Sequence, residues 1–281
     1  MIALFVLVSL ATMSVAGFPG YASAGVTLTG IALLVAGAAT LNGYLERKLD
    51  RRMPRTAGRP LASGRLQPSR ALVFAALVTI AGLVLLAAGP GLDCLLLGVA
   101  GMIGYVGLYT LLLKPRFPES VVWGSLAGVF PLLIAWTATG KPWSPALLYC
   151  CLVVFLWSPA HFWSLALARA EEYRAVGVPV LPVVSGERAT GVRVLVHLVL
   201  LLALPIWGVG TGLFRPWLVV VNLAGGLPLV GLRCDSSPVR PRRRPGGSSV
   251  CRVPTWRSFS WLLSLLGEPS GGVCRQARRR L

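Results

Sequence analysis

The stretch AGVTLTGIALLVAGAATLNGYLERKLD, residues 24–50, holds both the solvent preference and the first chemistry of the chain. From 24 to 45 it is apolar and small, and as a helix it is long enough to cross a bilayer core, which takes roughly 20 residues. It runs without a turn signal into Asn42-Gly43-Tyr44-Leu45-Glu46-Arg47-Lys48-Leu49-Asp50, so that Asn42, Glu46 and Asp50 recur every fourth residue and share one helix face. Two carboxylates and an amide aimed together at a membrane boundary are costly unless they hold something. A hard divalent cation with oxygen ligands suits them, and Mg2+ usually completes its shell with water and substrate phosphates. An open site with few carboxylates therefore points to a metal-bound diphosphate. The competing reading pairs Glu46 and Asp50 with Arg47, Arg51 or Arg52 at a solvated helix end, and an isolated acidic pair would be read that way.

Outward from this stretch the pattern repeats. The 281 residues are 55% hydrophobic and 13% charged, with a mean hydropathy of +0.73, unlike a soluble domain. Apolar runs lie at 2–16, 24–45, 71–88, 92–113, 120–138, 144–168, 192–210 and 214–232. These predict an all-α, polytopic transmembrane helical bundle of about eight spans, with the lipid bilayer as its main partner. The short first run is followed by small residues, as in a secretory signal, but it lacks the basic segment such a signal needs; it is read as the first span.

A net charge of +18 in a soluble protein would suggest nucleic acid; here the charge sits between spans, and no nucleic-acid partner is expected. Arg47, Lys48, Arg51, Arg52, Arg55, Arg59, Arg65 and Arg70 fill one loop and its flanks, Lys114 and Arg116 the next on that side, and Arg169, Arg174, Arg188 and Arg193 the third. The alternate loops carry only Lys141 and Arg215. The positive-inside rule places the basic loops and the N-terminus in the cytoplasm, which predicts a multi-pass protein of the inner (cytoplasmic) membrane with its active-site loops on the cytoplasmic side. Anionic lipid attraction accounts for most of the basic residues, but not for the acids among them.

Only nine residues are acidic, yet Glu46, Asp50, Glu171 and Glu172 all fall beside the cytoplasmic ends of the second and sixth spans. The sixth span ends in Ser158-Pro159-Ala160-His161-Phe162-Trp163 and continues through Arg169-Ala170-Glu171-Glu172-Tyr173 to Leu181-Pro182-Val183-Val184. Two facing acidic sites can hold Mg2+ on a diphosphate while nearby Arg and Lys neutralise the leaving group, which is the chemistry of ionising an allylic diphosphate. His161 can ligate haem iron, but beside Pro159 and Trp163 it is read more readily as satisfying a backbone carbonyl or orienting a substrate carboxylate. His197 reads as a packed residue. Cys94, Cys150, Cys151, Cys234, Cys251 and Cys274 have no CxxC spacing and receive no disulfide or metal role.

The run Asn42 to Leu61, N-x-x-x-E-x-x-x-D-x-x-M-x-R-T-x-x-R-P-L, resembles the first signature of the UbiA prenyltransferase superfamily in its haem O synthase branch, and His161 to Val184 resembles the second. Tyr109 to Arg116, Gly124-Ser125-Leu126-Ala127-Gly128 and Phe130-Pro131 add a third similar stretch, so the resemblance covers roughly residues 1–232 in order. It implies farnesyl transfer from farnesyl diphosphate to a vinyl group of haem B. It implies Mg2+ held by Asn42, Glu46, Asp50 and Glu172, and Arg55, Arg59, Lys114, Arg116, His161 and Tyr173 as substrate contacts. It also admits association with haem A synthase or terminal-oxidase assembly proteins. The family commonly has Asp where this chain has Glu172, and often where it has Glu46; the added methylene can move a ligand by about an ångström. One rival is a UbiA-type enzyme with another aromatic acceptor, such as a hydroxybenzoate or a tetrapyrrole alcohol. Another is a membrane transporter or haem-handling protein, whose acids would be expected near mid-bilayer.

Two domains follow: a membrane prenyltransferase domain over 1–232 and an atypical basic tail over 233–281. The resemblance implies nine spans, but after Leu232 the only apolar remnant, Trp261 to Leu266, is too short to cross. A frame beginning at the third base of the Gly247 codon would place T in the middle of the codons formed from Ser (as TCN), Phe and Trp, making those positions apolar. The tail is therefore read as an out-of-frame last span, the alternative being a basic tail on anionic lipid.

Overall fold

A computed structural model describes residues 2–213, and every regular element among them is helical, as a bilayer without water to satisfy backbone groups requires. In order these are α1 (Ile2–Ala16), α2 (Tyr21–Arg52), α3 (Pro68–Ala88), α4 (Leu92–Met102, continuing as a π-helix over Ile103–Leu113), α5 (Ser120–Ala127), α6 (Phe130–Thr137), α7 (Pro145–Leu167), α8 (Ala170–Ala175), α9 (Leu181–Val184) and α10 (Gly186–Gly210). Six stretches are long and apolar enough to cross a membrane: Tyr21–Arg52, Pro68–Ala88, Leu92–Leu113, Ser120–Thr137, Pro145–Leu167 and Gly186–Gly210. With the shorter apolar α1, each of the first seven apolar runs is accounted for. The run at 214–232 and the tail from 233 lie outside the described residues.

α2 has 32 residues and, at about 1.5 Å per residue, outruns the roughly 30 Å hydrocarbon core; its last turns carry Glu46 and Asp50 beyond the apolar zone. It lies along α3, while α1 sits against α2 and α6, and α7 against α10. Small residues make the α2–α3 contact possible, because helices in lipid associate by close packing rather than by the hydrophobic effect. A Cβ on Gly82 would stand 2.9 Å from the Gly30 carbonyl oxygen, and one on Gly37 would stand 2.2 Å from Thr79 Oγ1. Met13, Ile31, Leu34, Leu86, Cys94 and Ile134 form the core that joins these helices, and Ala160, Trp163, Leu181 and Val194 form a second. Leu72, Val73, Phe74, Leu77, Ile80 and Val84 leave α3 with an exposed apolar face, suited to lipid.

Two irregularities shape the interior. The fifth apolar run is not one helix but α5 and α6, broken at Gly128 and Val129. Pro131 explains the break, since it has no N–H to donate and its ring crowds the preceding turn. In the π-helix, the Lys114 amide donates to the Tyr109 carbonyl at 2.9 Å and Thr110 Oγ1 to the Tyr105 carbonyl at 2.8 Å. Both links span five residues, and such wide turns are frequent at functional sites.

Candidate active site

α2, the 53–67 segment, the π-helix, α5, α6 and the end of α7 enclose a cavity of about 620 Å3. Its interior is apolar, with Phe5, Ile31, Leu34, Phe130 and Ile134, and its other end carries Asn42, Glu46, Asp50, Arg55, Arg59, Lys114, Arg169 and Tyr173. The four-residue spacing on α2 turns Asn42, Glu46 and Asp50 to this one side, as the sequence reading expects.

Each acid there meets a cation from another segment. Glu46 forms an ion pair with Lys114 and accepts a hydrogen bond from Asn42 Nδ2 at 3.1 Å. Burial pulls the Lys114 ammonium down, but Tyr109 and Glu46 outweigh it and hold the group above its ordinary range. Asp50, its side chain only 7% exposed, accepts from Arg59 Nη1 at 2.8 and 3.0 Å. Its backbone carbonyl accepts from Thr56 Oγ1 at 2.9 Å, which folds the 53–59 turn back over the end of α2. Glu172 on α8 has Oε2 3.8 Å from Arg55 Nε, and that buried oxygen accepts no hydrogen bond. The two acidic motifs are thus linked across Arg55.

The predicted residues divide. Asn42, Glu46, Asp50, Arg55, Arg59, Lys114 and Tyr173 line the cavity, and Glu172 does not, although it lies 3.8 Å from Arg55. Arg116 is exposed and donates to the Leu112 carbonyl at 3.1 Å, away from the cavity lining. His161 stacks on Trp157, with ring centres 4.7 Å apart, while its neighbours Phe162 and Trp163 line the cavity in its place. Glu171 is exposed and pairs with Arg174 at 2.5 Å. His197 is packed, edge to face with Trp163 at 5.1 Å.

Other residues the sequence reading assigned no role stand at the site. Thr110 Oγ1, whose one proton is shared between the Tyr105 carbonyl at 2.8 Å and Asn42 Oδ1 at 3.3 Å, stands at the oxygen end of the Asn42 amide, whose nitrogen donates to Glu46. Tyr105 and Arg169 line the cavity, as does Tyr109, whose ring lies where a Cβ on Gly124 would intrude at 2.7 Å. Glu119 accepts from Arg193 at 2.7 Å and ties the segment before α5 to α10; that guanidinium holds its carboxyl below the usual range.

Among the described residues, no three His, Cys, Asp or Glu side chains gather into a closed metal site. The donors present still fit a hard cation that takes the rest of its shell from phosphate and water. Glu46 and Asp50 are oxygen donors at one end of the cavity, with no sulfur or imidazole beside them, and the hydrogen-bond-free Glu172 oxygen lies outside its lining, against Arg55.

Fold and site together define a helical membrane enzyme built to receive an anionic head and an apolar body. The chain belongs to the UbiA prenyltransferase family, whose model matches residues 2–244. It is 40% identical over 234 residues to a protoheme IX farnesyltransferase of Marinobacter nauticus, covering 82% of this chain and 74% of that one. It is 41% identical over 264 residues to one of Leptothrix cholodnii, covering 90% and 82%. A UbiA homolog from Archaeoglobus fulgidus bound to GPP and Mg2+ shares the fold with a TM-score of 0.67 at 17% identity, over 94% of this chain and 93% of that one. A UbiA homolog from Aeropyrum pernix K1, in its apo structure, gives 0.69 at 17% identity, over 82% and 86%.

Proposed function

We propose that the chain transfers the farnesyl group of farnesyl diphosphate to a vinyl group of protohaem IX (haem B), giving haem O. The observation that carries the reading is one cavity that sets Arg59 and Lys114 against Asp50 and Glu46 at one end of an apolar chamber, with Arg55 beside them reaching to Glu172. Arg55, Arg59 and Lys114 receive the diphosphate, and Phe5, Leu34, Phe130 and Ile134 take the prenyl chain. The C–O bond breaks, the diphosphate leaves with the bonding pair, and the haem vinyl attacks the allylic carbon. Water adds at the neighbouring carbon and loses a proton, leaving a hydroxyethylfarnesyl group; haem B, farnesyl diphosphate and water balance haem O and diphosphate. Apolar walls keep bulk water from the cation before the vinyl reaches it. Asn42, Glu46, Asp50 and Glu172 are the residues that would hold Mg2+, whose charge would neutralise the departing diphosphate.

The proposal extends to placement and extent. The basic loops face the cytoplasm from the inner membrane, and haem A synthase or terminal-oxidase assembly proteins are the associates suited to a lipid-embedded haem product. Residues 1–232 are the enzyme domain and 233–281 an out-of-frame reading of its last span. The family match runs twelve residues into this tail, to 244, and stops three residues before Gly247, where the shifted frame would begin. Reading the nucleotides tests this: a shifted frame with early stops or polar residues over 248–262 would leave the basic tail real.

The activity is tested with membranes expressing the chain, supplied with haem B, Mg2+ and farnesyl diphosphate, and the pigment weighed by mass spectrometry. A mass gain of one farnesyl plus one hydroxyl is expected. Unchanged haem B, where a known farnesyltransferase converts it, overturns the reading.

A further inference from the structure

On the opposite flank of α2 from the catalytic cavity lies a smaller one of about 240 Å3, and we propose that it binds the phosphate headgroup of an anionic membrane phospholipid. Arg47, Lys48 and Arg51 supply its charge and Leu61, Leu66 and Pro68 its apolar rim. No carboxylate lines it. The contrast with the catalytic cavity is chemical: there Lys114, Arg59 and Arg55 each face an acid and of the lining cations only Arg169 does not, whereas these three cations form no ion pair among the described residues.

They are nevertheless placed. The Arg47 guanidinium lies 4.1 Å from the Tyr44 ring centre and donates to the Tyr44 carbonyl at 2.6 Å, and Arg51 Nε donates to the Ala62 carbonyl at 2.9 Å. Both keep further N–H donors, and Lys48 makes no hydrogen bond or ion pair among the described residues. Three like charges lining one pocket repel one another, and a bound anion removes that cost while taking charge-assisted hydrogen bonds.

Position selects the kind of anion. Pro68 opens α3, and the turns that follow expose Leu72, Val73, Phe74 and Leu77. A phosphate seated against Leu66 and Pro68 therefore continues onto an apolar wall suited to acyl chains. A soluble phosphate has no use for that wall.

The test is native mass spectrometry of the full chain in mixed micelles of phosphatidylglycerol and phosphatidylcholine. Retention of phosphatidylglycerol is expected, with affinity falling about fivefold in Lys48→Gln and about 25-fold in Arg47→Gln/Lys48→Gln, from the usual worth of one basic residue at an anionic surface. Arg52→Gln, the same charge loss at a residue outside the pocket lining, leaves retention unchanged, and neither inorganic phosphate nor diphosphate displaces the lipid. Equal losses in Lys48→Gln and Arg52→Gln would mean diffuse attraction and overturn the proposal. So would no loss in either variant, or displacement by phosphate or diphosphate, which would mean a site for soluble anions.

Discussion

Replacing Asp50 by Asn removes one charge without removing volume, and the structure separates its effect on stability from its effect on chemistry. Both carboxylate oxygens accept from Arg59 Nη1, at 2.8 and 3.0 Å. If both partners were buried, stranding the guanidinium would cost about 3–5 kcal/mol. The Arg59 side chain is 48% exposed, so water replaces the carboxylate and the loss is about 1 kcal/mol or less, a fall in Tm of about 2–4 °C. Loss of a preorganised charge at the leaving group costs about 10²–10³ in turnover. Asp50→Asn is therefore expected to insert normally and melt within a few degrees of the parent, yet convert haem B about 10²–10³ times more slowly; Glu46→Gln should match it. The double variant Asp50→Asn/Arg59→Gln decides the reason. If Asp50 serves only to neutralise Arg59, turnover recovers to that of Arg59→Gln alone. If it binds metal, the double variant is at least as slow as Asp50→Asn. Recovery in the double variant, or near-parental turnover in Asp50→Asn, refutes the metal role.

The two acids of the second motif should separate in the same assay. Glu172→Gln is expected to lower turnover by about tenfold or more, since that carboxylate faces Arg55 at the cavity, and Glu171→Gln by less than about twofold, since its exposed pair with Arg174 is worth little. Lys114→Gln should raise KM for farnesyl diphosphate and lower kcat, while Arg116→Gln, which falls outside the cavity lining, should leave both within about twofold; a larger effect of Arg116→Gln would mean that the diphosphate sits elsewhere. Gly37→Ala should destabilise the α2–α3 contact by about 1–3 kcal/mol through overpacking on Thr79 Oγ1, read as a lowered Tm in detergent. Thr79→Ala should recover part of that loss, and failure to do so would place the strain elsewhere.

The spans were legible because the bilayer imposes a length and forbids charge within it, and the Asn42, Glu46 and Asp50 face because four-residue spacing has one meaning on a helix. What escaped was the choice between near neighbours. Lys114 and Arg116 stand two residues apart, so a helix turns them to different sides, and composition cannot say which side holds the cavity; the same holds for His161 against Phe162 and Trp163. The π-helix escaped because an apolar run of eleven residues fits four- and five-residue turns equally well. It nonetheless aims Thr110 at Asn42 across 68 residues of sequence. Net charge misleads for a related reason. A total of +18 suggests a site flooded with cations, yet at the cavity Lys114, Arg59 and Arg55 are matched by Glu46, Asp50 and Glu172 and, among the described residues, only Arg169 of the lining cations has no ion pair. The excess lies elsewhere, on surfaces such as the Arg47, Lys48 and Arg51 pocket. Charge matched at Lys114, Arg59 and Arg55 and unmatched at Arg47, Lys48 and Arg51 is a division that only the pairing of distant segments brings about.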